Sequence, residues 1–153
     1  MSAFLDTTAT QLKSTWELTS YSAFLVGRES AKYMVKRGAG CILFTGSTAS
    51  RRAGPNFASY AAGMHGKRAV AQALARELGP KGIHVAHLVI DGVINNEQTR
   101  EKVGPAKFDP MRDKQGLLEP ESIARAFSFL ASQTKDAFAF ELDLRPYCEP
   151  HAF

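Results

Sequence analysis

Cysteine is scarce in this 153-residue chain: it occurs only at Cys41 and Cys148. The two are too far apart for a redox or metal-ligand spacing, so no disulfide framework or zinc ribbon is expected. Long apolar runs are absent; none approaches the ~20 residues of a membrane-spanning helix. The first residues, Met1-Ser2-Ala3-Phe4-Leu5-Asp6, carry neither the basic start nor the apolar centre of a secretion signal. A cytoplasmic protein with free thiols is the expectation, with no membrane association. A concentrated basic patch is missing as well. The net charge is +4, but the cations fall as separated pairs, Lys36-Arg37, Arg51-Arg52 and Lys67-Arg68, so no nucleic-acid interface is expected. His84 and His87 lie three apart and alternate off a strand to opposite sides, while His65 and His151 have no ligand spacing, so no metal site is expected.

What remains is ordinary globular material, 44% hydrophobic and 22% charged. It has no internal repeat and no linker, and reads as a single domain over 1–153. Thr8 and Gln11 form a capping box that opens a long helix over 9–36. Leu12, Trp16, Thr19, Ala23, Gly27, Ala31 and Met34 recur along one stripe of it, and Lys36-Arg37-Gly38 closes it. Cys41 to Thr45 is a short buried strand, and 50–56 is a loop broken by Gly54-Pro55. A second helix over 57–78 ends at Gly79-Pro80, and 83–90 is a near-continuous apolar run that suits a parallel strand covered on both faces. Residues 93–118 read as irregular, a third helix spans 120–132 and a last strand 138–144. The alternation predicts an α/β fold: about three parallel strands with three main helices. A sheet this narrow has an open first edge that a self-associated copy could cover. Ala58, Ala62, Gly66, Ala69 and Ala73 make a small-residue stripe suited either to the protein's own sheet or to a dimer seam.

The chemistry concentrates where the first strand ends. Ser47 stands at its carboxyl end and precedes Tyr60 by 13 residues, the place where open α/β sheets keep their sites. A phenol with a pKa of ~10 can serve as general acid to a carbonyl oxygen when a fixed cation lies nearby, and a serine hydroxyl can orient that oxygen. One turn after Tyr60, where a cation is wanted, stands Met64. Lys67 lies seven residues past Tyr60, on the same face but about 10 Å along the axis from it. Glu141 and Asp143 alternate with Phe138, Phe140 and Leu142 and read as the polar face of the last strand.

Gly46-Ser47-Thr48-Ala49-Ser50, then Tyr60, then the run Ala73-Leu74-Ala75-Arg76-Glu77-Leu78-Gly79-Pro80-Lys81-Gly82-Ile83-His84-Val85, resemble the short-chain dehydrogenase/reductase family. The long first helix and Leu117 to Ala124 fit the same pattern, as does the tail Pro146-Tyr147-Cys148-Glu149-Pro150. The resemblance is to the carboxy-terminal, catalytic half of the family, half of a Rossmann-type fold. It implies NAD or NADP as cofactor, a carbonyl/alcohol substrate, and a homodimer built on helices 9–36 and 57–78. It assigns Ser47 to substrate orientation and Tyr60 to acid/base work, and gives the cofactor contacts to Asp91-Gly92 and the Ile94 backbone. Two positions depart from it: the family's lysine is Met64 here, and its asparagine aligns with Thr19. The glycine-rich nucleotide loop, expected to precede residue 1, has no counterpart in these residues. Two functions follow as expectations: an atypical NAD(P)-dependent oxidoreductase, or a non-catalytic dimeric binding module derived from that family.

Overall fold

The computed structural model describes residues 1–148. Glu149, Pro150 and His151, noted in the sequence, lie outside the described residues. The chain runs through α1 (Ala9–Trp16), a π-turn (Glu17–Tyr21), α2 (Ser22–Arg37), β1 (Gly40–Ser47), α3 (Ala58–Leu78), β2 (Ile83–Ile90), α4 (Glu97–Val103), α5 (Pro105–Asp113), α6 (Pro120–Ala131) and β3 (Glu141–Leu144), with short 3-10 turns between some of them.

The expected first helix forms, but in two pieces joined without a break. The Thr8–Gln11 capping box is present, and Gly38 ends the helix in the left-handed region at φ 68°. The π-turn inserts a wider turn where strict α periodicity was expected, and it brings Ser20 inward. The stripe divides there: Ala23, Gly27 and Ala31 are buried, whereas Leu12 and Trp16 stay largely exposed.

Three parallel strands form one sheet in the order β1-β2-β3, as the α/β pattern predicts. All eight residues of β2 are buried. Its two faces serve separate cores. Ile83 and Val85 join Ala23, Ala31, Ile42, Phe44, Ala71 and Leu78 beneath α2 and α3. Ala86, Leu88 and Ile90 join Leu118, Ile123, Ala126 and Leu130 beneath α6. Each fully covered Leu or Ile side chain contributes about 2 kcal/mol of transfer free energy.

Two expectations are corrected. Residues 93–118 are not irregular: α4 and α5 occupy most of the segment. Asn96 caps α4 by accepting from Thr99 N–H, Pro105 starts α5, Arg100 pairs with Asp109 across the two helices, and Phe108 is the buried anchor. The last strand is also shorter, because Phe138 leaves the ladder to stack on the His84 ring at 4.4 Å.

The open edge of β1 has a definite chemistry. His87 N–H donates to Phe140 O and Asp91 N–H to Leu144 O, so odd-numbered β2 residues turn their backbone toward β3. Through the register Thr45↔Leu88, the odd residues of β1 then face the open edge. Near the carboxyl end of that edge, two side chains stand in for a fourth strand. Lys67 Nζ donates to Thr45 O at 3.3 Å, and Ser50 Oγ accepts from Ser47 N–H at 3.0 Å. An ammonium at a strand edge is a common guard against pairing with another chain.

Candidate active site

The carboxyl ends of β1 and β2 and the first turn of α3 enclose a cavity of about 350 Å³. Ser47, Thr48, Ala49, Arg52, Phe57, Tyr60, Ile90 and Gly92 line it. The strand β1 delivers Ser47, and the 3-10 turn Thr48–Ser50 bends the chain sharply away. Gly54-Pro55 and Asn56, at φ 67°, turn it again into α3, which places Tyr60 in its first turn. Residues separated by 13 positions therefore share one wall, as the motif spacing predicts. Ser47 Oγ is buried and has no hydrogen-bond partner. A polar atom withdrawn from water without a partner costs about 1–3 kcal/mol, a cost that a ligand oxygen would relieve.

The two departures from the family pattern are placed plainly. Met64 is 3% exposed and packs with Ala49 and Ala61 behind the cavity wall. Lys67 does not take its place: it serves the edge at Thr45, two residues before Ser47, and burial lowers its pKa. His65 turns its Nδ1 to Ala61 O at 2.9 Å. Thr19 does not reach the cavity. Its hydroxyl donates to Thr15 O at 2.7 Å, and the side chain lies against Gly63.

Asp91, Gly92 and Ile94 fall into different roles. Gly92 lines the cavity and has no room for a side chain, since a Cβ would stand 2.7 Å from Pro146 Cδ. Ile94 bridges Leu118 through the bonds Leu118 N–H to Val93 O and Asn95 N–H to Leu118 O, with its side chain in the α6 core. Its own N–H takes no part in that bridge and points to the other side. The Asp91 carboxylate is buried and already engaged. Thr48 Oγ1 donates to it at 2.6 Å, Arg52 grips it at 3.0 and 3.2 Å, and Arg145 completes the cluster. Burial raises its pKa, but the Thr48 and Arg52 hydrogen bonds and the two guanidinium charges outweigh that and hold it below the usual carboxylate range.

A second charged cluster lies along β3. Arg68 of α3 meets Glu141 with a fork of 2.6 and 2.9 Å, and His87 Nδ1 donates to the same carboxylate at 2.9 Å. Arg51 joins both Glu141 and Asp143. His87 Nε2 has no partner and lies against Gly46, and burial pushes the imidazole pKa down against the opposing pull of Glu141. Glu141 and Asp143 thus do form one polar face, as their alternation suggests. They hold guanidinium groups rather than working as a carboxylate pair. His84 donates from Nε2 to Ala139 O at 2.8 Å and shares no partner with His87. Arg52 and Arg145 were missed as site residues because their partner lies 39 and 54 positions away in the chain. The available signal was a carboxylate at the end of a buried, near-continuously apolar strand, which demands cations.

Residues 1–139 match the family model described as enoyl-(acyl carrier protein) reductase. A curated relative, the (21S)-21-acetoxyl-apo-melianone synthase SDR of Melia azedarach, is 31% identical over 134 residues, 84% of this chain and 49% of that protein. The chain belongs to the short-chain dehydrogenase/reductase family. A short-chain dehydrogenase from Rhodopseudomonas palustris is 39% identical and superposes with a TM-score of 0.74 over 95% of this chain and 56% of its own. A 7α-hydroxysteroid dehydrogenase solved with NADH and 7-oxo glycochenodeoxycholic acid is 26% identical with a TM-score of 0.81, over 94% and 57% of the two chains. This short-chain dehydrogenase/reductase chain spans about half the length of these relatives, and its described residues contain no helix long and apolar enough to cross a membrane.

Proposed function

We propose that this chain acts as an atypical NAD(P)-dependent oxidoreductase on a carbonyl or alcohol substrate held between Ser47 and Tyr60. The observation that carries the reading is the buried Ser47 Oγ without a partner, in the same cavity wall as Tyr60. In this arrangement Ser47 donates a hydrogen bond to the substrate oxygen, and the Tyr60 phenol gives that oxygen a proton on reduction or removes it on oxidation. Phe57, Ile90 and Ala49 exclude water from the carbon being reduced. The nicotinamide supplies the hydride when bound. Gly92 and the outward N–H of Ile94 would hold the nicotinamide end of such a cofactor, while the Asp91 carboxylate is already engaged by Thr48, Arg52 and Arg145. No glycine-rich loop is present in the chain for the pyrophosphate.

The buried Met64 favours a second reading, a dimeric interaction module of the family without chemistry. The dimer belongs to both readings. Phe24, Ala31, Val35, Val70, Ala73 and Leu74 line a largely apolar groove of about 750 Å³ between α2 and α3. In the small-residue stripe, Ala62, Ala69 and Ala73 are exposed, so the protein's own sheet does not account for them and a second copy would cover them. Two unpaired thiols suit a reducing, cytoplasmic setting.

The test is calorimetric titration of NADH and NADPH, followed by carbonyl-dependent oxidation of the bound nucleotide. Saturable micromolar binding and a turnover that falls at least a hundredfold in Tyr60→Phe are expected. Absence of binding at millimolar nucleotide, or turnover indifferent to Tyr60→Phe, would overturn the enzymatic reading in favour of the module.

A further inference from the structure

At the amino ends of β1 and β2 stands a pair of side chains that the Ser47–Tyr60 cavity does not use. Cys41 and His84 are direct partners in the parallel ladder and project to the same face of the sheet. Cys41 is the second residue of β1 and Ser47 its last, so about 20 Å of strand separates the pair from the cavity. His84 is 3% exposed, and its ring is fixed by two contacts. Phe138 stacks on it at 4.4 Å, nearly parallel, and Nε2 lies 2.8 Å from Ala139 O. A carbonyl only accepts, so the ring proton is on Nε2 and Nδ1 keeps its lone pair. That lone pair meets one partner among the described residues, Cys41 Sγ at 4.0 Å. A thiol is a weak donor, and so long a contact leaves a nitrogen withdrawn from water poorly paired. Metal-binding histidines are held in this way, with one nitrogen donating to a carbonyl and the other left to ligate.

We infer that Cys41 and His84 form a two-coordinate site for a soft monovalent cation, Cu(I). The separation of 4.0 Å suits an ion lying between sulfur and nitrogen. Bonds of roughly 2.3 Å to sulfur and 2.0 Å to nitrogen span about 4.3 Å end to end and about 3.5 Å at a tetrahedral angle. The observed spacing falls nearer the first, which is the arrangement of two ligands rather than four. Thiolate and imidazole are both copper ligands, and the thiolate selects the monovalent ion. Zn(II) takes four ligands, and the described residues contain no group of three His, Cys, Asp or Glu side chains able to hold it. On binding, the Cys41 S–H gives its proton to solvent and a sulfur–copper bond forms, with no change of oxidation state. Cys41 is only partly buried, so the ion arrives from the sulfur side. Once bound, it ties the start of β1 to β2, with no part in the oxidoreductase reading.

The test uses the full chain carrying Cys148→Ser, which removes the exposed second thiol. Anaerobic titration with Cu(I) against a chromophoric copper(I) chelator gives stoichiometry and affinity, and thermal unfolding is recorded with and without the ion. One Cu(I) per chain and a raised Tm are expected. Adding Cys41→Ser should weaken binding at least a hundredfold, and adding His84→Gln at least tenfold. Zn(II) in the same excess should leave Tm unchanged. Binding no tighter than in the Cys41→Ser chain, or an affinity unaltered in a folded His84→Gln chain, would overturn the inference. So would a Zn(II) shift as large as that of Cu(I). Should His84→Gln fail to fold, X-ray absorption of the Cu(I)-loaded Cys148→Ser chain decides: one sulfur and one imidazole nitrogen support the site, and sulfur alone overturns it.

Discussion

One turn past Tyr60, helix α3 presents Met64 to Ala49 and Ala61; one turn farther it presents Arg68 to Glu141 and His87. Both turns face inward, yet the first is dry and apolar while the second holds an ion network across to β3. The charge that would tune the phenol is therefore absent from the turn beside Tyr60, although cations stand on the next turn of the same helix. Arg68 and Lys67 are occupied with holding β3 and guarding β1. Proximity along a helix does not make a cation available; the partner that claims it decides.

The comparison breaks most sharply by placing charge in the apolar turn. Met64→Lys should lower stability by about 3 kcal/mol, through lost packing and a buried ammonium, as read by urea unfolding. In the folded fraction it should raise carbonyl-dependent turnover above the parent, a gain that Met64→Lys/Tyr60→Phe should lack. Unchanged turnover would mean that the ammonium escapes to solvent. Removing charge from the second turn comes next. Glu141→Gln leaves Arg68 and His87 without their carboxylate and should cost about 2 kcal/mol, less than a fully buried pair because Arg68 is 32% exposed. A loss below about 0.5 kcal/mol would show the network to be a surface feature.

Acid sharpens the same contrast. His87 has its folded pKa below the ordinary value of 6.5, because burial disfavours the charged ring. The unfolded chain therefore takes up this proton at higher pH than the folded one. Stability is full above about 6.5 and falls as pH drops through the window down to the folded value. Glu141 and Asp91, both depressed in the folded state, add a second decline below their ordinary values of 4.5 and 3.8. In His87→Gln the first decline should vanish and the second remain. The smallest effect is expected at the edge: Lys67→Ala should change stability by less than about 1 kcal/mol, while light scattering grows faster on warming because the β1 edge loses its guard.

The parts of this architecture written in local chemistry were legible before the structure. The near-continuous apolar run of β2, the Thr8–Gln11 box and the Gly38 stop each state their role within a few neighbouring residues. Ser47 and Tyr60 stand 13 positions apart in the sequence, and the fold brings them to one cavity wall. The π-turn was hidden because one widened turn leaves no mark in a pattern of threes and fours. Helices α4 and α5 were hidden because an ion pair, Arg100 with Asp109, and one anchor, Phe108, hold them in place of an apolar stripe. The Asp91 cluster was hidden because its members come from three separate stretches of chain, and only the sheet brings them together.

Where the π-turn crosses α3, Ser20 Oγ donates to Gly63 O at 2.6 Å, and the hydroxyls of Thr19 and Ser20 fill the space that a Cβ on Gly63 or Gly66 would need. Each of these glycines weakens its helix by roughly 1 kcal/mol relative to alanine, so a search for stabilising replacements would nominate both and fail at both. In a saturation library scored for folding, these two positions should read as a single permitted letter. The alphabet should broaden again at the exposed neighbours Ala62 and His65.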